Sequence, residues 1–216
     1  MELMDDYEYD FDFDNVPSVL VGQQAPDFVA AAVMPDDTIN EEFCLSEHIE
    51  GKYALLFFYP LDFTFVCPSE IIAFNNRIAK FKELGCEVIG ISVDSQFSHL
   101  AWKNTPREKG GLGGLDFPLV ADLTKEIGYN YGVLREDGVT FRGSFLIDTK
   151  GEVRHQVVND LPLGRNVDEA IRMVEALQFH EEHGEVCPAG WNKGDEGMTA
   201  DGDGVASYLA KNSDNL

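Results

Sequence analysis

Apolar residues fall along this chain in two rhythms. Residues 53–59, Tyr53-Ala54-Leu55-Leu56-Phe57-Phe58-Tyr59, form an unbroken apolar run and predict a strand buried on both faces. Residues 87–93, Glu87-Val88-Ile89-Gly90-Ile91-Ser92-Val93, predict a second, with Gly85 stopping the helix before it. Between the two runs Ile71, Phe74, Ile78 and Phe81 recur at helical spacing. Residues 97–104 predict a short helix carrying Trp102, and Lys109-Gly110-Gly111-Leu112-Gly113-Gly114 a flexible loop. A short strand at 117–121 and a short helix at 123–129 follow. Residues 141–147 and 152–158 flank Asp148-Thr149-Lys150-Gly151, a strong hairpin turn. A last long helix spans 167–180, with Ile171, Val174 and Leu177 on its core edge. Strand, helix, strand, helix, then hairpin and helix predict an α/β fold, a mixed central sheet with helices on its faces.

After residue 191 the composition shifts to Gly, Asp and Asn, with a weak helical signal only at 205–211. That predicts an arm. The chain then divides into an N-terminal extension at 1–18, a domain at 19–180 and a C-terminal arm at 181–216.

The strand at 53–59 runs into Pro60-Leu61-Asp62-Phe63-Thr64-Phe65-Val66-Cys67, and Pro68 opens the helical pattern. Proline is favoured at the first helical position, where its missing N–H is no loss, so Cys67 is expected at or beside the N-cap. Free amides and the helix dipole there stabilise an anion, and the thiolate is the reactive form of cysteine. A hydroxyl, Thr64, precedes it by one turn. A cysteine in apolar surroundings is ordinarily a small inert core residue; the strand-to-helix junction turns the reading towards a nucleophile. Glu70, three residues on, fits a capping-box glutamate.

At 216 residues the chain suits one domain with appendages and a substantial core. Its 16 basic and 39 acidic residues give a net charge of −23, which argues against nucleic acid or an anionic membrane as partner. Seven of the acids lie in the first fifteen residues, where acid and aromatic alternate in Tyr7-Glu8-Tyr9-Asp10-Phe11-Asp12-Phe13-Asp14. Extended, that segment would put its rings on one face; repulsion among its charges favours a mobile acidic tail instead. No secretory signal pattern is present, no run approaches the ~20 apolar residues of a membrane span, and the cytosol is the simplest location. Four cysteines, Cys44, Cys67, Cys86 and Cys187, are too few and scattered for a disulfide scaffold.

Pro60, Thr64 and Cys67, at P-x-x-x-T-x-x-C spacing, resemble the active-site motif of the peroxiredoxins. Val186-Cys187-Pro188-Ala189-Gly190-Trp191 resembles the resolving-cysteine motif of their typical two-cysteine subfamily. Ser92-Val93-Asp94-Ser95, His99-Leu100-Ala101-Trp102, Arg142-Gly143-Ser144-Phe145-Leu146-Ile147-Asp148 and Asn159-Asp160-Leu161-Pro162 match in order as well, between about residues 19 and 191. The resemblance implies a thioredoxin-like fold with a C-terminal arm, and a thiol peroxidase acting on hydrogen peroxide and organic hydroperoxides. It implies that Cys67 attacks the peroxide, that Thr64 contacts it, that Pro60 shields the pocket, and that Arg142 stabilises negative charge. Glu70, Arg165 and Trp102 take supporting roles. Cys187 would resolve the sulfenic acid of Cys67, in the subfamily across two subunits; spacing alone leaves an intrachain bridge equally open. The resemblance further implies a homodimer assembling to a decamer that favours the reduced state, recycling by thioredoxin or alternatively a flavoprotein reductase, and no cofactor.

Other readings compete at particular residues. His180, His183 and Cys187 superficially offer a metal set, but no second cluster completes a tetrahedron nearby in sequence, and solvated helix-end histidines are the default. Cys67-Pro68-Ser69-Glu70 has Glu where a C-x-x-C oxidoreductase needs its second cysteine, and no histidine motif marks a cysteine hydrolase. Cys44 reads as structural or neutral, and Cys86, opening a strand, gives no catalytic signal. A holdase or peroxide-signalling role would add to the peroxidase rather than replace it. Relatives that overoxidise easily combine a Gly-Gly-Leu-Gly loop with a C-terminal Tyr-Phe; here Gly110-Gly111-Leu112-Gly113 is present but Tyr208 is followed by Leu209. A partly packed terminal helix and intermediate sensitivity are expected.

Overall fold

In the computed structural model, which describes residues 11–13 and 19–215, seven strands form one sheet in the order β2-β1-β5-β4-β3-β6-β7. At its centre β3 (Tyr53–Phe58) and β4 (Cys86–Ser92) run parallel, with Leu55 opposite Val88 and Phe57 opposite Gly90. The short β5 (Leu119–Ala121) continues the parallel set beyond β4. On the other side β6 (Arg142–Ile147) is antiparallel to β3 and forms a hairpin with β7 (Val153–Asn159). The mixed sheet expected from sequence is therefore present.

Side chains alternate across a strand, so β3 serves two cores. Leu55, Phe57 and Tyr59 join Ile71, Phe74, Phe81 and Val174 on one face. Those partners come from α2 (Cys67–Asn76), α3 (Ile78–Glu83) and the long α6 (Val167–His183). Ala54, Leu56 and Phe58 face the other way, onto Ile89, Tyr131 and Phe145. Each large side chain buried this way stabilises the fold by roughly 1.5–3 kcal/mol. The junction where β3 ends and α2 begins is thus held from both faces of the sheet.

Several elements differ from the sequence expectation. β1 (Val29–Val33) and β2 (Ile39–Cys44), followed by the one-turn α1 (Leu45–His48), were not anticipated. Alanine fills the middle of β1 and β2 is a polar edge strand, so neither carries a strand-like apolar pattern. The helix expected to run through Ile71 and Phe81 is two helices. It breaks at Arg77, whose N–H bonds back to the Phe74 carbonyl at 3.0 Å while its guanidinium pairs with Asp168 of α6. Asn75 and Asn76 hold the preceding turn weakly. Pro118, lacking an N–H, shortens the strand expected at 117–121. Asp122 accepts the amides of Ile127 and Gly128, which delays the helix expected from residue 123 to α5 (Glu126–Asn130).

The glycine loop is not flexible. Its amides at Leu112, Gly113 and Gly114 bond back to the carbonyls of Trp102, Thr105 and Lys103 in and after α4 (Gln96–Asn104), and Leu112 is fully buried. A Cβ on Gly111 would lie 1.9 Å from the Thr105 carbonyl oxygen, so the loop needs glycine for close approach rather than for mobility. The arm carries α7 (Gly202–Asn212), longer than the signal at 205–211; no residue in it is buried, and Tyr208 borders a groove with Trp191.

Most of the acidic N-terminal segment lies outside the described residues. Its described part packs on α5: the rings of Phe11 and Phe13 lie 4.8 and 6.3 Å from that of Tyr129, whose hydroxyl donates to the Asp12 carbonyl at 2.9 Å. Among the described residues no helix is long and apolar enough to cross a membrane.

Candidate active site

Cys67 is the first residue of α2, with Val66 as N-cap and Pro68 in the first turn, and it is fully buried. Two side chains converge on its sulfur. Thr64 Oγ1 lies 3.0 Å from Sγ and 2.8 Å from the Leu61 carbonyl oxygen. A hydroxyl carries one proton, so Thr64 can donate to only one of these at a time and offers a lone pair to a third group. Arg142 Nη1 donates to Sγ at 3.3 Å. Arg142 opens β6, and its Nε donates to the Leu161 carbonyl at 2.7 Å, so strand and loop both aim the guanidinium.

Glu70 completes the arrangement one turn along α2. It is 3% exposed and accepts four hydrogen bonds: from Arg142 Nη1 at 2.7 Å, and from Arg165 N, Nε and Nη2 at 2.9, 2.8 and 3.1 Å. Burial is the largest single influence on its carboxyl and would raise its pKa. The hydrogen bonds and charge of Arg165, with the charge of Arg142, outweigh it and hold the group below the usual carboxylate range. Burial likewise pulls Arg165 below its ordinary value, against the pull of Glu70. Arg165 also donates to the Gly143 carbonyl at 2.6 Å and stacks 5.4 Å from the centre of the Phe57 ring. Two guanidinium groups and one carboxylate leave one positive charge in a buried site. A negative sulfur at Cys67 brings the cluster to neutrality.

The remaining expected residues divide between this centre and the arm. Pro60 is buried where β3 ends. Trp102 on α4 is fully buried, donates its Nε1–H to the Gly110 carbonyl at 2.9 Å, and packs its ring 5.7 Å from Phe63 of the Cys67 loop. Phe63 holds φ of 52°, a left-handed backbone uncommon for a bulky residue. Cys187 is not brought to Cys67 within the chain. Its thiol faces the Ala176 carbonyl of α6 at 3.4 Å, the two sulfurs have no hydrogen-bond partner in common, and all four cysteines are free thiols. Burial raises the Cys187 thiol above its ordinary value, partly offset by Arg172. Burial pushes Cys86 up to about 12, and it belongs to the core. His180 and His183 engage the carbonyls of Glu185 and Phe179, and no metal-holding cluster occurs among the described residues.

Sequence reasoning missed the polar cluster behind the loop. Asp62 accepts from the Tyr59 hydroxyl at 2.9 Å and Ser98 Oγ at 2.8 Å and meets His99 Nδ1 at 2.8 Å; its own amide donates to Asp94 at 2.7 Å. A carboxyl and an imidazole both buried among apolar elements need such partners. The one signal was an Asp inside an otherwise apolar segment. This cluster fastens the loop to α4, leaving Phe65 pointing outward and 95% exposed.

The profile of the AhpC/TSA family matches residues 21–156, and that of the C-terminal domain of 1-Cys peroxiredoxin matches residues 176–211. Alkyl hydroperoxide reductase C of Helicobacter pylori (strain ATCC 700392 / 26695) is 58% identical over 195 residues, 90% of this chain and 98% of that one. Peroxiredoxin-2 of Mus musculus is 56% identical over 194 residues, 89% and 96% of the two chains. Among solved structures, the reduced 2-Cys peroxiredoxin of Plasmodium vivax has a TM-score of 0.87 at 49% identity, covering 89% of this chain and 100% of that one.

Proposed function

The chain belongs to the AhpC/TSA family, the peroxiredoxins, and is a thiol peroxidase; from that premise we propose that Cys67 attacks the peroxide and Cys187 resolves the product. The observation that carries the assignment is the convergence of Thr64 Oγ1 and Arg142 Nη1 on one buried sulfur at a helix start. The Cys67 thiolate attacks one peroxide oxygen; the S–O bond forms as the O–O bond breaks. The departing oxygen takes a proton and leaves as water or alcohol, and the sulfur is left as a sulfenic acid. Thr64 keeps a lone pair for the peroxide hydroxyl. Arg142 offers its charge to both oxygens as negative charge moves between them. Pro60 and Trp102 keep bulk water out, and Glu70 and Arg165 hold Arg142 in place.

Cys187 then attacks the sulfenic sulfur, forming a disulfide and releasing water. The separate settings of the two thiols support pairing of Cys67 with Cys187 of the partner subunit. The outer edge of β7 supports a two-fold dimer formed by strand pairing. Exposed rings at Phe63, Phe65 and Phe97 support further assembly to a decamer beside the Cys67 loop. Thioredoxin is the electron donor that this dithiol chemistry fits, and the cytosol is the compartment that keeps such donors reduced.

The test is peroxide consumption with thioredoxin, thioredoxin reductase and NADPH, comparing wild type with Cys67→Ser and Cys187→Ser, followed by non-reducing gels. Turnover lost in both variants, with a disulfide-linked dimer only in wild type, is the expected result. A Cys67→Ser protein that still consumes peroxide overturns the assignment.

A further inference from the structure

The segment carrying Cys67 is fixed at both ends. Upstream, Asp62 is 7% exposed and held from three elements: by the Tyr59 hydroxyl just past β3, by Ser98 and His99 of α4, and through its own amide by Asp94 after β4. Downstream, Glu70 takes the hydrogen bonds of Arg142 and Arg165. Residues 63–69 span the interval. Thr64 holds the Leu61 carbonyl at 2.8 Å and Ser69 the Val66 carbonyl at 2.6 Å, each only three residues back along the chain. Phe65, 95% exposed, adds almost no packing. An opening confined to this interval leaves both fixed ends intact.

Phe63 is the first residue beyond the upstream end, and its backbone is strained. Among the described residues, positive φ outside glycine occurs at Asp37, Phe63 and Lys125. Asp37 lies in the tight turn between β1 and β2, its amide donating to the Met34 carbonyl at 3.1 Å, and Lys125 is the N-cap of α5. Phe63 stands instead four residues before the reacting sulfur, with φ of 52°, where glycine or asparagine would sit without strain. That cost falls on the closed segment alone, because an opened chain is free to return Phe63 to negative φ. The ring pulls the other way: it lies 5.7 Å from that of the buried Trp102 and leaves it on opening.

The Cys67 sulfur is fully buried and Cys187 is seated on α6, so a bond between them requires Cys67 to come out. Resting on the assignment of Cys187 as resolving thiol, we infer that Phe63 is the hinge of that release. Residues 63–69 open between the fixed Asp62 and Glu70, and the strained Phe63 backbone keeps the closed pocket from being too stable to open. With Glu70 in place, the three residues from it to Cys67 limit the excursion to about 10 Å, so Cys187 has to be delivered to the mouth of the pocket. There Cys187, its proton lost to solvent, attacks the sulfenic sulfur; the S–S bond forms, the S–O bond breaks, and hydroxide leaves as water on taking up a proton. Peroxide attack uses the closed segment, where Thr64 and Arg142 meet the sulfur, and resolution uses the open one. A change at the hinge therefore acts on the second half of the reaction.

The experiment compares Phe63→Gly with Phe63→Ala. Both lose the ring, and with it the Trp102 contact and any part in assembly, and they differ only in how readily the backbone turns left-handed. Reduced protein is mixed with one equivalent of hydrogen peroxide, and Cys67 oxidation and Cys67–Cys187 disulfide formation are timed separately. Excess peroxide then measures sulfinic acid by mass spectrometry. Phe63→Gly is expected to form the disulfide about fivefold more slowly than Phe63→Ala, the net advantage of glycine at a left-handed position. It should also accumulate more sulfinic acid, because its sulfenic acid waits longer in the closed pocket for a second peroxide. Cys67 oxidation at the same rate in both variants reports that the pocket is folded. Equal disulfide rates in the two variants, or a faster one in Phe63→Gly, would overturn the proposal. So would a Phe63→Gly protein slowed equally in both halves, which marks damage to the pocket rather than a shifted hinge. Absence of the disulfide in wild type removes the parent assignment and this one together, an outcome distinct from the others.

Discussion

Replacing Glu70 by glutamine is the most demanding test of the buried charge cluster. The substitution keeps the shape and an acceptor oxygen but removes the one negative charge shared by Arg142 and Arg165, whose side chains are each 4% exposed. Breaking a buried ion pair from one side costs about 3–5 kcal/mol, because the partner charge stays desolvated and uncompensated. A domain this size has roughly 5–15 kcal/mol in total, so the loss is a large share of its stability. At roughly 2–4 °C per kcal/mol, its melting temperature should fall by about 6–20 °C. The assay is thermal unfolding of reduced protein followed by circular dichroism. The pH dependence adds a sign. Because the folded-state value of Glu70 lies below its ordinary 4.5, its contribution is complete above that pH and is lost as the pH falls through the folded value. The gap between wild type and Glu70→Gln should therefore be constant near neutrality and close on acidification below 4.5. A variant melting within about 2 °C of wild type at pH 7 would refute the reasoning, since it corresponds to less than about 1 kcal/mol.

Three further outcomes follow from the same geometry. Thr64→Val removes a hydrogen bond to a charged reacting group, worth about 1.5–3 kcal/mol, and should slow Cys67 oxidation about 10- to 150-fold in stopped-flow traces, with Thr64→Ser recovering most of the rate. Asp122 is 1% exposed and burial pushes it up to about 6. Its contribution is greatest below the ordinary 3.8 and declines as pH rises through 6, so Asp122→Asn should abolish that part of the stability slope in denaturant titrations. Gly111→Ala drives a Cβ into the Thr105 carbonyl and should destabilise by about 1–3 kcal/mol or more, with amide exchange at Leu112 and Gly113 accelerating.

What was legible in sequence was what repeats or punctuates. The apolar runs of β3 and β4 and the Asp148 hairpin turn announced themselves, and Pro68 marked the start of α2 beside Cys67. The meeting of Arg142 with Glu70 was legible only through a family motif, because nothing local says that residues 72 positions apart meet at 2.7 Å. What stayed hidden depends on tertiary partners. β1 and β2 pair as strands despite a sequence with little strand preference. The glycine loop looked mobile because composition does not reveal that its amides are spoken for. Lys103 is 2% exposed, a position no lysine suggests, yet its ammonium reaches the carbonyls of Met34 and Pro35 and the Asp37 carboxylate, all within 2.8 Å.

The contact of Phe11 and Phe13 with Tyr129 sets two forces of different reach against each other. The rings attract over a few ångströms and are indifferent to dissolved ions. The first fifteen residues carry seven acids and no base, while the remainder holds 32 acids (39 less 7) against 16 bases, so the charges repel. Repulsion extends about 10 Å in 0.1 M salt and only about 3 Å in 1 M. Concentrated brine therefore silences the opponent and spares the adhesive. This anchorage should tighten under the same conditions that slacken surface ion pairs such as Lys211 with Glu196.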